Sequence, residues 1–364
     1  MGRTLVTGAT GFVGAHVARQ LVERGDDVRV SLRPEADEGA LVGLEVETVR
    51  GDLLDRRAVR RAFRGVDRVF HTAGMASLSG GNEGEAAVFR ANVDTARTVL
   101  EESRRADVER VVLTSSAAAV GPAPHGQTAD EDQVFTAAPL GIPYLDAKRE
   151  VEAEAFRFAA RGLSVVCVNP TLVFGAGDRR AVATSLVWRF LLGDVSVYPD
   201  GAVNIVDVED VARAHLLADT EGRSGERYIV GNRNYTLERL FADLARLSGV
   251  EPPALKLPAM LAVPFARALE TMPGGSPISV LEATMASRWW TYRSTKANEE
   301  LGWEPSHHED TLEATVDWCR ETDGAAIARA RRSQPARYKA ASAVLAVLQQ
   351  GERIAGGVTR RLGL

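Results

Sequence analysis

A glycine-spaced turn near the N-terminus constrains this chain more than any other stretch. Arg3 to Thr7, with Leu5 and Val6 apolar, runs into Gly8-Ala9-Thr10-Gly11-Phe12-Val13-Gly14, and Ala15 to Arg24 then places Val17, Ala18, Leu21 and Val22 at helical spacing. The pattern predicts strand, tight turn, helix. Without a Cβ, Gly8 can make the turn, Gly11 lets a pyrophosphate approach the backbone, and Gly14 lets the helix pack close to the strand. The free N–H groups and positive dipole end of that helix face the phosphates. A glycine triplet alone also suits a merely tight turn, so its meaning depends on the residues downstream of it.

Short β-branched runs recur at Val28–Leu32, Val46–Arg50, Arg68–His71, Arg110–Thr114 and Val165–Asn169, separated by helical patterns. This alternation predicts an α/β fold with a doubly wound parallel sheet. In such folds the residue about 20 positions past the glycines meets the adenosine ribose. Here it is Arg33; a guanidinium suits a 2′-phosphate, where a carboxylate would suit the 2′-hydroxyl of NAD. NADP is therefore the favoured cofactor and NAD the alternative; a plain surface arginine before Pro34 is the other reading of Arg33. Asp52, after the third strand, is a candidate acceptor for the adenine amino group, and Asp55 reads as a helix N-cap. His71-Thr72-Ala73-Gly74 ends the fourth strand in small residues that let a cofactor lie close, with His71 a packed strand-end histidine. Glu85 to Arg105 reads as one helix carrying Asn92, which either bonds toward the crevice or is exposed. Thr114-Ser115-Ser116 puts hydroxyls at the crevice edge.

The chemistry enters with Tyr144 and Lys148, at i and i+4 on one face of a helix predicted to run to about Ala160. A phenol titrates at about 10, and a neighbouring ammonium, joined by an oxidised nicotinamide, favours the phenolate and lets Tyr144 exchange a proton near neutral pH.

With these residues in view, the chain from Arg3 to about Arg320 resembles the extended short-chain dehydrogenase/reductase family, also called the NAD-dependent epimerase/dehydratase family. The matching segments are Thr7 to Gly14, Gly51-Asp52-Leu53, His71-Thr72-Ala73, Asn92-Val93, Thr114-Ser115-Ser116 and Tyr144-x-x-x-Lys148. The resemblance implies a Rossmann domain at 1–175, to which parts of 203–230 return, and a smaller C-terminal substrate-binding lobe at 176–320. It implies that Ser116 orients a substrate carbonyl, Tyr144 gives or takes its proton, and Lys148 holds the nicotinamide ribose while lowering the Tyr144 pKa. It gives Thr7, Gly8, Thr10, Gly11, Phe12, Val13, Gly14, Asp52, Leu53, Thr72, Ala73, Asn92 and Ser115 to the cofactor, with Pro170 and Val173 near the nicotinamide carboxamide. Arg33, Val168 to Thr171, Val208 to His215 and Gly225 to Val230 resemble the dihydroflavonol-reductase-like branch and the hopanoid-associated sugar epimerases. The family often dimerises, which makes a homodimer an expectation here.

The lobe predicts an apolar substrate through Trp188, Phe190, Met260, Phe265, Met272, Trp289 and Trp290, with the Pro122–Pro143 loop crossing above the serine and tyrosine to shape the pocket mouth. His307-His308-Glu309-Asp310 is metal-like only in composition; Asp310 reads as an N-cap before Leu312, and no metal is assigned. From Gly324 onward, eight basic residues face one acid, Glu352, on a chain of net charge −5, and Ala340 to Leu348 is apolar. This basic helical extension, 321–364, is a candidate for peripheral membrane or partner contact or for packing on the protein's own acidic surface. The overall balance gives no pull toward nucleic acid. Cys167 and Cys319 read as buried hydrophobes in a reducing compartment. No apolar run approaches roughly 18 residues and the first strand starts at once, so a cytoplasmic protein is expected. The expected activity is NADP-preferring reduction of a ketone or aldehyde on a mostly apolar small molecule. The alternatives are an NAD-dependent nucleotide-sugar epimerase/dehydratase, acting on an alcohol, and a non-catalytic dinucleotide sensor.

Overall fold

In a computed structural model of the chain, residues 2–75, 82–253, 255–270 and 278–330 are described. Met272 and most of the basic extension, from residue 331, lie outside the described residues.

The chain first lays down β1 (Arg3–Thr7), α1 (Phe12–Arg24), β2 (Asp27–Leu32), β3 (Glu47–Arg50), α2 (Arg56–Ala62) and β4 (Arg68–His71). α3 (Asn82–Phe89), α4 (Thr95–Arg105), β5 (Arg110–Thr114), α5 (Pro143–Ala159) and β6 (Val165–Pro170) follow. Then come β7 (Leu172–Phe174), α6 (Ser185–Leu191), β8 (Val197–Pro199), β9 (Ala202–Asp207), α7 (Val208–Thr220), β10 (Arg227–Val230) and β11 (Arg233–Thr236). The chain continues through α8 (Leu237–Ser248), β12 (Leu255–Leu257), α9 (Ala259–Glu270), α10 (Val280–Ala286), β13 (Trp289–Trp290) and α11 (Thr295–Leu301), and a last helix spans 308–330.

Seven strands form one sheet in the order β10-β6-β5-β4-β1-β2-β3, with every pairing parallel. The order reverses between β1 and β4, and ligands of open α/β sheets bind in the crevice beyond the strand ends at such a point. Apolar cores fill both faces, one under α1 and α7 and centred on Val6, Val30, Val112 and Trp303, the other under α2, α4 and α5 around Leu5, Val69, Val111 and Cys167. Burial on both faces explains why these strands read as continuous apolar runs. β9 anchors a second, smaller sheet, antiparallel to β11 and parallel to β7 and β13. Its own core gathers Phe190, Leu240, Phe241, Leu312 and Cys319.

The predicted helix Glu85–Arg105 is interrupted. Between α3 and α4 the backbone widens into a π turn at Arg90–Asp94 that contains Asn92. The Asn92 side chain explains the break: buried, its amide donates to the Val88 carbonyl at 2.8 Å and the Met75 carbonyl at 3.0 Å, and its oxygen accepts from the Met75 N–H at 3.3 Å. A side chain bonded to the strand end competes with the regular i−4 ladder. α1 starts at Phe12, ahead of the predicted Ala15, which puts Gly14 inside its first turn. Asp55 caps α2, accepting from the Arg57 N–H at 2.9 Å. Asp310 is no N-cap: the last helix opens at 308, and the His307 carbonyl accepts from the Asp310 N–H.

Candidate active site

The turn after β1 is tight for steric reasons. Gly8 has φ +76°, and a Cβ there would stand 2.5 Å from the Ala73 backbone nitrogen. A Cβ on Gly14 would collide with the Gly8 carbonyl oxygen and the Thr72 hydroxyl, which itself donates to the Thr7 carbonyl at 2.7 Å. Gly11 lines the cavity with only the Gly8 carbonyl, at 3.2 Å, near its missing Cβ. A side chain there would fill the cradle below the orphan amides of the first turn of α1, and that combination of open backbone and helix N-terminus fits the pyrophosphate of a dinucleotide.

The turn forms one end of a cavity of about 1600 Å³ that runs over the carboxyl ends of β1, β4, β5 and β6 into the second lobe. Gly8, Thr10 to Gly14, Arg33, Asp52, Leu53, Thr72, Ala73, Ser115, Ser116, Tyr144, Lys148, Pro170 and Val173 all line it. Two of the predicted cofactor residues do not. Thr7 is buried behind the turn with its hydroxyl 2.7 Å from His71 Nδ1, and Asn92 spends its amide on Met75 and Val88. Both hold the cavity floor from below. His71 is fully packed, as expected of a strand-end histidine; burial and the Lys148 charge lower its pKa to about 3, so it stays neutral. Asp52 accepts from the Leu54 N–H at 2.8 Å, which makes its own turn and fixes the carboxylate at the cavity edge. Arg33 is exposed and makes no ion pair among the described residues.

Ser116, Tyr144 and Lys148 converge at the middle of this cavity. Ser116 follows β5 and its hydroxyl accepts from the Ala118 N–H at 3.1 Å, while Tyr144 lines the same part of the cavity from α5. Lys148, one turn further along α5, donates to the Thr114 carbonyl at 3.1 Å. The electrostatics correct the expectation for Tyr144. Burial pushes its phenol up, and the nearby Ser116 hydroxyl pulls it down more weakly; Lys148 is not among the causes. Lys148 itself is driven down to about 8 by burial, against a raising influence from Glu152. The protein's own groups thus hold Tyr144 protonated, the state of a proton donor.

Behind the triad lies a buried network that sequence reading missed. Asn169 donates to the Ser116 carbonyl at 3.0 Å and to Glu152, and Glu152 pairs with Arg227 at 3.0 Å. Arg227 also donates to the Glu131 carbonyl at 3.1 Å, and the Glu131 carboxylate accepts from the Ile229 N–H at 2.7 Å. The only sequence signal was spacing: Glu152 is i+4 from Lys148 and i+8 from Tyr144 on one helix face. From the second sheet, the Tyr292 hydroxyl donates to the Gly121 carbonyl at 2.9 Å and so braces the turn after Ser116. His215 holds the Thr114 hydroxyl at 2.7 Å and the Val211 carbonyl at 2.8 Å; burial lowers its pKa to about 4.

The lobe end differs from expectation. Of the described aromatic and methionine residues predicted to line it, only Trp290 does. Phe190 is inside the lobe core with Trp188 packed against it, and Met260 is exposed. The lining is made instead by Leu172, Leu186, Val195, Val197, Tyr198, Val203, Phe241, Ile278 and Met285, with an Arg189–Glu282 ion pair among them. The Pro122–Pro143 loop stays away from the cavity. Its extended backbone needs partners and finds them on the segment around β13: Ala123 N–H donates to the Trp289 carbonyl at 2.7 Å and Ala129 N–H to the Thr291 carbonyl at 2.9 Å. Among the described residues no three His, Cys, Asp or Glu side chains are grouped as a metal would need. Among them also, no helix is long and apolar enough to cross a membrane.

Known proteins place this geometry in context. The model of the NAD dependent epimerase/dehydratase family matches residues 4–231. The chain is 36% identical to sterol demethylase protein B of Methylococcus capsulatus, over 87% of its own length and 98% of that protein. It is 34% identical to a putative dihydroflavonol 4-reductase of Synechocystis sp., over 86% of its length and 93% of the relative. Its fold superposes on the crystal structure of a nucleoside-diphosphate-sugar epimerase from Pseudomonas aeruginosa with a TM-score of 0.73, at 27% identity over 88% of this chain and 98% of that one.

Proposed function

Because the chain belongs to the NAD-dependent epimerase/dehydratase family, and is an NAD(P)-dependent oxidoreductase of the extended short-chain dehydrogenase/reductase type, we propose that it is an NADP-preferring reductase of a ketone or aldehyde on a mostly apolar small molecule. The observation that carries this reading is the single cavity joining the glycine turn, the Ser116–Tyr144–Lys148 group and an apolar lobe wall. The dinucleotide, held by the glycine turn, Arg33, Lys148 and Pro170, supplies the hydride when bound.

The chain's own groups do the rest. The Ser116 and Tyr144 hydroxyls both line the cavity, and Ser116 is near enough to lower the Tyr144 pKa, so a carbonyl oxygen placed between them would accept from both. Tyr144 is protonated at neutral pH and gives its proton to that oxygen. Leu172, Leu186, Tyr198 and Phe241 exclude water and orient an apolar body. A sterol demethylase protein and a dihydroflavonol reductase among the relatives suit such a wall.

The test is NADPH oxidation, followed by absorbance, across polycyclic and aromatic ketones and aldehydes, with NADH in parallel. Steady consumption of NADPH with an apolar carbonyl is the expected result. The second reading, a nucleotide-sugar epimerase, is favoured by the solved epimerase that shares the fold; it requires tightly retained NAD and sugar inversion with no net change in cofactor absorbance.

A further inference from the structure

The segment that follows β7 carries two arginines, Arg179 and Arg180, that line the same cavity as Arg33 although they come from the opposite side of the fold. Arg179 makes the closer approach. Its guanidinium lies against Gly39, where a Cβ would stand 3.0 Å from Arg179 Cζ and nearer still to one of its nitrogens. Gly39 belongs to the turn that Arg33 opens. In that turn the Ala36 N–H donates to the Arg33 carbonyl at 3.0 Å, Gly39 N–H to Asp37 at 2.9 Å, and Arg50 reaches back to the Pro34 carbonyl at 2.7 Å. Two separately fixed pieces of chain thus bring Arg179 against the turn that begins at Arg33, and both arginines line the cavity.

The Arg179 segment is a built feature. His16, itself 2.7 Å from Glu209, holds the Ala176 carbonyl at 3.1 Å; the buried Asp178 carboxylate accepts from the Thr184 N–H at 2.9 Å and hydroxyl at 3.0 Å. Ala181 takes φ +46°, a conformation that costs a non-glycine residue energy and persists only where its surroundings impose it. Both guanidinium groups are exposed and neither has an ion-pair partner among the described residues, so each is open to an anionic ligand.

We propose that Arg179 is a second specificity-determining cation that grips the 2′-phosphate of NADP together with Arg33, closing the adenosine end of the cavity from the lobe side. The proposal rests on the NADP reading of the cofactor. A phosphate dianion offers enough acceptor oxygens for two guanidinium forks, and each charge-assisted contact contributes to affinity for the phosphorylated ribose alone.

The experiment is calorimetric titration of the wild-type protein, Arg179→Ala, Arg33→Ala and the double variant with NADPH, NADH, 2′,5′-ADP and 5′-AMP, with thermal melting to confirm that each variant folds. Expected are a wild-type preference for NADPH and 2′,5′-ADP, and an Arg179→Ala loss of about tenfold for both, with NADH and 5′-AMP unchanged. If the wild type prefers NADPH, Arg33→Ala removes the preference and Arg179→Ala is silent, the role of Arg179 fails while the NADP reading stands. Equal losses for NADPH and NADH would also overturn it, placing Arg179 on a part common to both cofactors. If the wild type binds 5′-AMP as tightly as 2′,5′-ADP, the NADP reading itself fails and the proposal falls with it.

Discussion

The two walls of the cavity are made of different material. Under the dinucleotide the wall is main chain and buried polar groups: Gly8 and Gly14 press on neighbouring backbone, Ser116 and Lys148 bond to backbone atoms, and neutral His71 and His215 stand behind. The lobe wall is side chain, with Leu172, Leu186, Tyr198 and Phe241 facing the space. Backbone contacts cannot be trimmed without moving the fold, whereas volume-conserving apolar exchanges in a packed wall usually cost under about 1.5 kcal/mol. The first wall is therefore committed to one chemistry, and the second is where substrate choice can change.

The sharpest way to break that contrast is at the centre of the committed wall. Tyr144→Phe keeps the ring and removes the proton; turnover should fall by about 10²- to 10⁴-fold with the NADPH dissociation constant unchanged. Near-wild-type turnover in that variant would falsify the assignment. Next comes the turn. Gly14→Ala forces a methyl onto the Gly8 carbonyl and the Thr72 hydroxyl, so a stability loss of about 1–3 kcal/mol in denaturant unfolding, with weakened dinucleotide binding, is expected. A variant that binds NADPH normally would mean the turn has slack.

Acid should attack the same wall. His215 and His71 have folded pKa values of about 4 and 3, below the ordinary 6.5, so the unfolded chain binds more protons once the pH drops below that value. Their contribution is fully present above pH 6.5 and is lost as pH falls toward 4 and then 3. Thermal melts should show a lower Tm at about pH 4.5 than at about pH 7, and His215→Gln should shrink the difference; identical melts at both pH values would contradict neutral burial. The smallest effect belongs to the lobe. Leu186→Ala should change KM for a bulky apolar carbonyl within about tenfold and leave NADPH affinity alone. A large loss of NADPH affinity there would show that the walls are not independent.

How far the sequence carried differs in the same way between the walls. The alternation of strand and helix, the glycine turn, the Tyr144–Lys148 pair and the strand-end hydroxyls were all legible, because each depends on local backbone requirements that only certain residues meet. Thr7 and Asn92 were legible as special positions, yet their side chains face away from the cavity. Asn92 reads as polar inside a helix pattern; that it breaks the helix to tie down Met75 depends on a strand end 17 positions away. In the lobe, residue size singles out the large side chains, and size does not say which face of an element a residue occupies. Phe190 and Trp290 look alike in sequence, and only the packing of the second sheet sends one into the core and the other to the cavity.

By itself, then, the sequence determined a parallel α/β sheet, a phosphate-binding turn and a phenol one helical turn from an ammonium, since these follow from the absence of Cβ atoms, the two backbone periodicities and i,i+4 geometry. The tertiary structure decided which way Tyr144 titrates, how Glu152, Asn169 and Arg227 hold Ser116 from behind, and that Arg179 meets the turn opened by Arg33. Those outcomes depend on burial and on contacts between residues far apart in the chain, and neither quantity is a property of any local stretch of sequence.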